Sequence, residues 1–376
     1  MFGKTKLMNK PIILVTGATG KTGSAVVFEL VNLGWPVRAV VRALDARSER
    51  LKKYGVEVVA ADLFDPEQLF RAMQGTSRAY YCPPFNSYMI QSATAFMVAA
   101  QKARLEAIVG LSQWLASPSH PSLLTRQHWL VDHLFSTIPG ITHTIVNPGF
   151  FADNYLRLID FAAHFGMFPN LTGNSRNAPP SNEDIARVVV AALIDPVKHG
   201  GKTYRPTGPA LLSVSDMTQI LSRVLKRKVL PINMPMRMFL KAARAEGVSV
   251  YEMSGFRYYV EDHKSGAFEM GAPTSDVYDV TGRQPEDFET IARRYAALPK
   301  ARISLKNKLR ALANFMRIGF TPAYDLDRYE QEQRHPLPAR PIFAVDSEVW
   351  RNEHGIKDGA GKLSFQAMND IDGARL

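Results

Sequence analysis

Over the first 150 residues, short apolar runs alternate with stretches in which apolar residues recur at helical spacing. Residues 11–16 (PIILVT) are apolar almost throughout, as a strand covered on both faces must be. Residues 22–33 follow with helical periodicity and stop at Gly34. Further strands are predicted over 37–41, 56–60, 78–82, 107–111 and 142–146, with helices over 88–104 and 123–137. Strand–helix alternation with strands this apolar predicts the α/β class and a doubly wound parallel sheet.

After Pro148 the rhythm changes. An aromatic-rich stretch over 150–168 leads to a polar, Pro-containing loop over 172–180. Ser181-Asn182-Glu183-Asp184 then reads as the cap of a helix over 185–194, and Ser215 as the cap of a second one running to Leu225. The basic turn Lys226-Arg227-Lys228 precedes an apolar run over 229–232. Past residue 298 the chain is first basic, then rich in Pro, Tyr and charge over 321–341, and finally Gly-rich and polar over 353–376, where it is expected to fray or pack loosely. The expected organisation is a core over 1–150, a smaller α+β lobe over 151–298 interleaved with it, and a C-terminal extension over 299–376. Within the extension, Leu305, Leu309, Leu312 and Met316 fall on one narrow stripe of a helix over 301–318. Arg302, Lys306, Arg310 and Arg317 flank the stripe on one side and Lys308 on the other. The stripe is expected to dock on the chain's own core, ahead of a second subunit or a protein partner, with an anionic membrane the least expected of these surfaces.

Composition narrows the classes. With 376 residues, 46% hydrophobic and 22% charged, the chain has the make-up of a folded globular protein, and no run reaches the ~18 to 20 apolar residues of a membrane span. Cys82 is the sole cysteine, so neither an internal disulfide nor a zinc cluster is available. Residues 1–10 lack the apolar core of a secretory leader, and a cytoplasmic location is expected. The net charge of +11 has a local source. Arg293, Arg294, Lys300, Arg302, Lys306, Lys308, Arg310 and Arg317 crowd one stretch without an acidic residue. No nucleic-acid reading motif accompanies it, so no nucleic-acid partner is expected.

The strongest chemical signal is Gly17-Ala18-Thr19-Gly20-Lys21-Thr22-Gly23, set between the first strand and the first helix. Glycines there let backbone N–H groups approach a pyrophosphate at the positive end of a helix. Gly20-Lys21-Thr22 mimics the end of a nucleotide-triphosphate loop, but Val15 stands where that loop needs glycine. The second strand ends in Arg42, with Arg47 beyond, rather than in the acid that grips the ribose of NAD. A guanidinium suits the 2′-phosphate of NADP, although Asp45 lies in the same loop. Asp62 follows the third strand and can accept from an adenine amino group or cap its own turn. None of the 13 tyrosines has Lys four positions later, which removes the usual short-chain reductase dyad. Ser112 after the fifth strand and His128 at the start of a helix remain, His128 as a proton donor or a ribose ligand. The histidines show no metal-ligand spacing, and no metal is expected.

Residues 11–296 resemble the NmrA-like, atypical short-chain dehydrogenase/reductase family. The resemblance is carried by VTGATGKTGSAVV (15–27), VRAVVR (37–42), ADLFDPEQL (61–69), CPP (82–84), QHWLVDHLF (127–135), NPGFFADNYL (147–156), NEDIARVVVAAL (182–193) and VTGRQPEDF (280–288). It implies a Rossmann domain with a substrate lobe, and NADP(H) held by Gly17, Thr19, Gly20, Lys21, Thr22, Gly23, Arg42, Asp62, Leu63, Pro83, Ser112 and Pro148. The segment at His128 is most similar to quinone-reducing members, so His128 is the expected catalytic residue. Other members carry a catalytic Lys nearby that is absent here. Phe150, Phe151 and Tyr155, following the sixth strand, are the expected contacts of a flat apolar or aromatic substrate. Two activities fit: an NADPH-dependent reductase of a quinone, enone, imine or azo-like compound, or a non-catalytic NADP sensor acting through a protein partner.

Overall fold

The computed structural model describes residues 10–356. Its first part runs β1 (Ile12–Val15), α1 (Lys21–Asn32), β2 (Val37–Val41), α2 (Ala46–Lys52), β3 (Glu57–Ala60), α3 (Pro66–Met73), β4 (Thr76–Tyr81), α4 (Met89–Ala103), β5 (Ala107–Leu111), α5 (Leu123–Ser136) and β6 (Thr142–Val146). Then come α6 (Ala152–Leu156), α7 (Ile159–Phe165), β7 (Met167–Asn170), β8 (Arg176–Asn177), α8 (Asn182–Ile194), α9 (Pro196–His199) and β9 (Thr203–Tyr204). The seven-stranded sheet has the order β3-β2-β1-β4-β5-β6-β9, parallel throughout. This is the Rossmann arrangement with one strand added, and its order reverses between β1 and β4, where such sheets open a ligand crevice.

Burial follows from the strand sequences. Ile13, Leu14 and Val15 are fully buried, so β1 is covered on both faces. One face packs on α1 and α8 through Val26, Val27, Leu30, Ile185 and Val189. The other packs on α3, α4 and α5 through Leu69, Met73, Phe96 and Phe135. Helices α2 and α3 and strand β9 were not foreseen. For α3 the signal was present, since Asp65 accepts from the N–H groups of Glu67 and Gln68 with Pro66 opening the helix. Strand β9 has two residues, too few for any pattern.

The rest of the lobe comprises β10 (Leu212–Ser213), α10 (Val214–Val224), β11 (Leu230–Asn233), α11 (Met236–Ala245), α12 (Val250–Lys264), α13 (Asp276–Thr281) and α14 (Phe288–Ala296). Strand β11 pairs parallel with β7, and β10 antiparallel with β8. Helix α10 is capped by Ser213, not by Ser215. The Ser213 hydroxyl accepts from Asp216 N–H (3.2 Å) while the Asp216 carboxylate accepts from Ser213 N–H (2.9 Å), a reciprocal pair that Ser215 lacks.

The extension forms α15 (Leu305–Phe320), α16 (Leu326–Gln333) and α17 (Glu348–Glu353). Helix α15 does dock on its own chain, against α7 and α11, but with the face opposite to the expected one. Ala311 and Ile318 are buried, whereas Leu305, Leu309, Leu312 and Met316 are 74%, 57%, 47% and 54% exposed. The small Ala311 side chain permits close approach, and Asn307 on the same side donates to the carbonyls of Pro299 and Arg302 (2.8 Å each). Trp350 of α17 is fully buried edge-on to Trp114, and donates its ring N–H to the Trp114 carbonyl (2.7 Å). Glu353 and His354, placed in the loosely packing tail by the sequence, are engaged instead. Glu353 accepts from the Trp129 ring N–H, and the His354 ring packs on Trp114. Residues 357–376 of that tail lie outside the described residues.

Candidate active site

The glycine loop closes the crevice between β1 and β4. Gly17 has φ +61°, a conformation that favours glycine, and a Cβ on Gly23 would stand 2.2 Å from the Gly17 carbonyl oxygen. Helix α1 therefore starts in backbone contact with the loop. Its cap position is Gly20, with no capping side chain and no acid in the first turn, so its leading N–H groups remain available to an anion. Thr22 donates to Asn182 (2.8 Å), fixing this end of α1 to α8. Thr16 accepts from Cys82 N–H (2.8 Å) and donates to the Tyr80 carbonyl (3.2 Å), which clamps the ends of β1 and β4 together. Burial pushes the Cys82 thiol up to about 11, making it a packing group rather than a nucleophile. These features fit a dinucleotide pyrophosphate.

At the end of β2, Arg42 is exposed. Asp45, the competing acid, is occupied: it caps α2 through Arg47 N–H and Ser48 N–H and pairs with the Arg47 guanidinium (2.6 Å). Asp62 accepts from Phe64 N–H (3.0 Å) through one carboxylate oxygen, capping its own turn, and among the described residues no hydrogen bond engages the other. Leu63 packs against the second core, Pro83, Ser112 and Pro148 are buried at the ends of β4, β5 and β6, and Thr19 is half-buried in the loop. Phe85 and Tyr88 stand exposed on the rim.

Ser112 donates to Asp132 (2.5 Å), a residue the sequence reading passed over. Burial pushes the Asp132 carboxyl up to about 8, so near neutrality it holds a proton. Its signal was legible: it lies one helical turn beyond His128, on the same side of α5. His128 is buried, and its ring lies edge-to-face with that of Phe85, ring centres 6.4 Å apart. Burial draws its imidazole down to about 4. A ring neutral at physiological pH can offer an N–H to a ribose hydroxyl but has no imidazolium proton to give. His128→Ala is therefore expected to raise KM for the nucleotide several-fold while lowering kcat by less than the ~10² that loss of a general acid costs. Steady-state kinetics separate the two.

Above the loop lies a cavity of about 550 Å³ between α6, α7, α11, α12 and α15. Phe150, Phe161, Phe168, Phe239, Phe256 and Phe315 line it, together with Tyr155, Tyr259 and His263. The Phe150 ring touches those of Tyr155, Phe256, Tyr259 and His263 at 4.9 to 6.1 Å. Phe151 instead packs into the sheet core, and neither His128 nor Ser112 lines the cavity. Ser175 donates to the Thr172 carbonyl (2.8 Å), so it accepts from His263 Nδ1–H (2.7 Å). This leaves His263 Nε2 to accept from the Tyr155 hydroxyl (2.7 Å). Lys21 also lines the cavity, paired with the buried Asp153 (2.5 Å), which Tyr295 bonds as well. Phosphate loop and cavity thus share a residue. Among the described residues, no group of His, Cys, Asp and Glu is placed to hold a metal.

A Rossmann crevice of this kind, with an aromatic cavity beside it, is the frame of a dinucleotide-binding protein. The model of the NmrA-like family matches residues 9–266, and the chain belongs to that family. It is 30% identical to a (4-alkanoyl-5-oxo-2,5-dihydrofuran-3-yl)methyl phosphate reductase of Streptomyces griseus, over 76% of this chain and 98% of that one. With an NAD(P)H azoreductase of Xenophilus azovorans the identity is 29%, over the same shares of each chain. The fold is that of an NADPH-dependent quinone oxidoreductase of Escherichia coli, solved with NADPH. That match has a TM-score of 0.65 at 21% identity and spans 75% of this chain and 99% of that one. The extension lies beyond the family match.

Proposed function

We propose that this protein is an NADPH-dependent reductase that delivers hydride to an aromatic or conjugated small molecule of the quinone, enone, imine or azo type. One juxtaposition carries the reading: the pyrophosphate loop and the aromatic cavity meet at Lys21. The reductases among its relatives support the same chemistry. NADPH, when bound, supplies the hydride. The chain's own part is placement. The loop and the first turn of α1 hold the pyrophosphate, Arg42 pairs with the 2′-phosphate, and the second oxygen of Asp62 takes the adenine amino group. The phenylalanines around Phe150 hold a flat acceptor and keep water out. Tyr155 keeps its proton at Oη, directed to His263, so an acceptor such as a quinone takes its proton from water.

The cofactor assignment gives a direct expectation. NADPH should bind at least about tenfold more tightly than NADH, roughly 1.4 kcal/mol, and Arg42→Ala should remove most of that difference. Titration by nucleotide fluorescence measures both, and equal affinities in the native chain would remove the NADPH assignment. Oxidation of NADPH on addition of a soluble naphthoquinone tests the reductase reading itself. One observation favours the sensor alternative: neither His128 nor the Ser112–Asp132 pair lines the cavity. Tight nucleotide binding without oxidation would select it.

A further inference from the structure

We infer that α15 seats this protein on an anionic phospholipid surface. The inference concerns a face the reductase reading leaves unused and does not depend on the reaction. Helix α15 presents two opposite faces. Asn307, Ala311, Asn314 and Ile318 face the cavity and its walls. At about 100° per residue, the stripe of Leu305, Leu309, Leu312, Met316 and Phe320 is centred about 180° away from them. This outer stripe is solvent-exposed, and Ile303 (76%) and Phe320 (85%) extend it at both ends. Contiguous large apolar side chains on the outside of a folded chain mark a contact surface.

The charges choose the contact. No acidic residue occurs between residues 293 and 320. Among the described residues, Arg302, Lys306, Lys308 and Arg310 have no carboxylate partner; Arg317 alone of the flanking cations is paired, with Glu246 (2.9 Å). An apolar strip bordered by free cations is the pattern that lies in a lipid interface, with its leucines among the acyl chains and its cations at anionic headgroups. A second copy fits poorly. A two-fold contact sets the same patch against itself, and would bring Lys306, Lys308 and Arg310 against their own copies with no acid in between. The membrane contact, the least expected from the sequence, arises because the fold turns the leucine stripe outward. No helix among the described residues is long and apolar enough to cross a bilayer, so the contact is peripheral.

Seated this way, the protein holds its cavity at the bilayer surface, with α15 as the shared wall. The full chain should co-sediment with phosphatidylcholine vesicles containing phosphatidylserine, at least about tenfold more than with phosphatidylcholine alone, and high salt should weaken it. L309S/L312S and K306E/K308E, both at exposed positions, should each abolish co-sedimentation while leaving NADPH affinity and the thermal midpoint near native. Three results would overturn the inference. These are no sedimentation with either vesicle, binding retained in both variants, or a dimer in light scattering that L309S/L312S converts to monomer, which would give the stripe to a second copy.

Discussion

Gly23→Ala is expected to abolish binding of both NADPH and NADH and to destabilise the fold. The added Cβ would lie 2.2 Å from the Gly17 oxygen and 2.6 Å from the Gly17 carbonyl carbon, both backbone atoms that no side-chain rotation can clear. Helix α1 would have to move outward, taking with it Thr22 and its bond to Asn182. Its buried Val26, Val27 and Leu30 would shift against the sheet. Overpacking a tight core site costs about 1–3 kcal/mol, and more where backbone must give. Displacing the leading N–H groups of α1 by even an ångström removes the anion site, so affinity should fall by at least about a hundredfold, roughly 2.7 kcal/mol. Calorimetric titration together with thermal unfolding reads both effects. Gly55, which has φ +76° but open space around its Cβ position, supplies the control: Gly55→Ala should strain its turn without touching nucleotide affinity.

Acid should unfold the protein well above the usual carboxylate range. Burial draws His128, His143 and His263 each down to about 4, and His354 likewise. An unfolded chain takes up these protons near pH 6.5. Folded pKa values lie below unfolded ones, so this stability is fully present above about pH 6.5 and is lost as pH falls towards 4. Each of the His128, His143 and His263 rings, the most deeply buried, contributes up to about 3 kcal/mol, and together they fall within the 5–15 kcal/mol that holds a typical domain. Asp132 acts in the opposite sense. Its carboxyl is raised to about 8, so its contribution is full below about pH 4 and is lost as pH rises through 8. Burial raises the carboxyls of Asp262 and Asp276 in the same sense, yet the four histidines outnumber the three acids. The thermal midpoint should be highest near neutrality, fall steeply from about pH 6.5, and vanish before pH 4. In Asp132→Asn the fall from about pH 6.5 to 4 should become steeper and the loss of midpoint between about pH 6.5 and 8 should shrink, because one opposing carboxyl is gone. A midpoint unchanged between pH 7 and pH 5 would show that these rings are not held neutral.

What the sequence disclosed follows from where each constraint lies. The glycine loop was legible because its requirement is local: three glycines between one strand and one helix decide the turn. Arg42 was legible for the same reason, and only the fold showed that Asp45 is consumed by α2. The cavity was legible only in part: Phe150 and Tyr155 were expected at it, whereas Phe239, Phe256 and Phe315 come from three further segments and each alone reads as core. Phe151, next to Phe150, points into the sheet instead, a distinction no pattern carries. Helix α15 was found, but with the wrong side inward. Periodicity reports that a face is apolar, not what covers it, and Asn307, Ala311, Asn314 and Ile318 share the spacing of the leucine stripe. His263 and Asp153 matter through partners more than eighty residues away, Tyr155 and Ser175 for one, Lys21 and Tyr295 for the other.

The account's central claim is that nucleotide loop and aromatic cavity form one reductive site. Rapid mixing of the NADPH-loaded protein with a quinone, an enone, an imine and an azo dye in turn, following the loss of NADPH absorbance, tests it most directly. The account predicts single-exponential oxidation with at least one of the four, saturable in acceptor, lost in Gly23→Ala and far slower with NADH. Stoichiometric NADPH binding with no oxidation by any acceptor would contradict it.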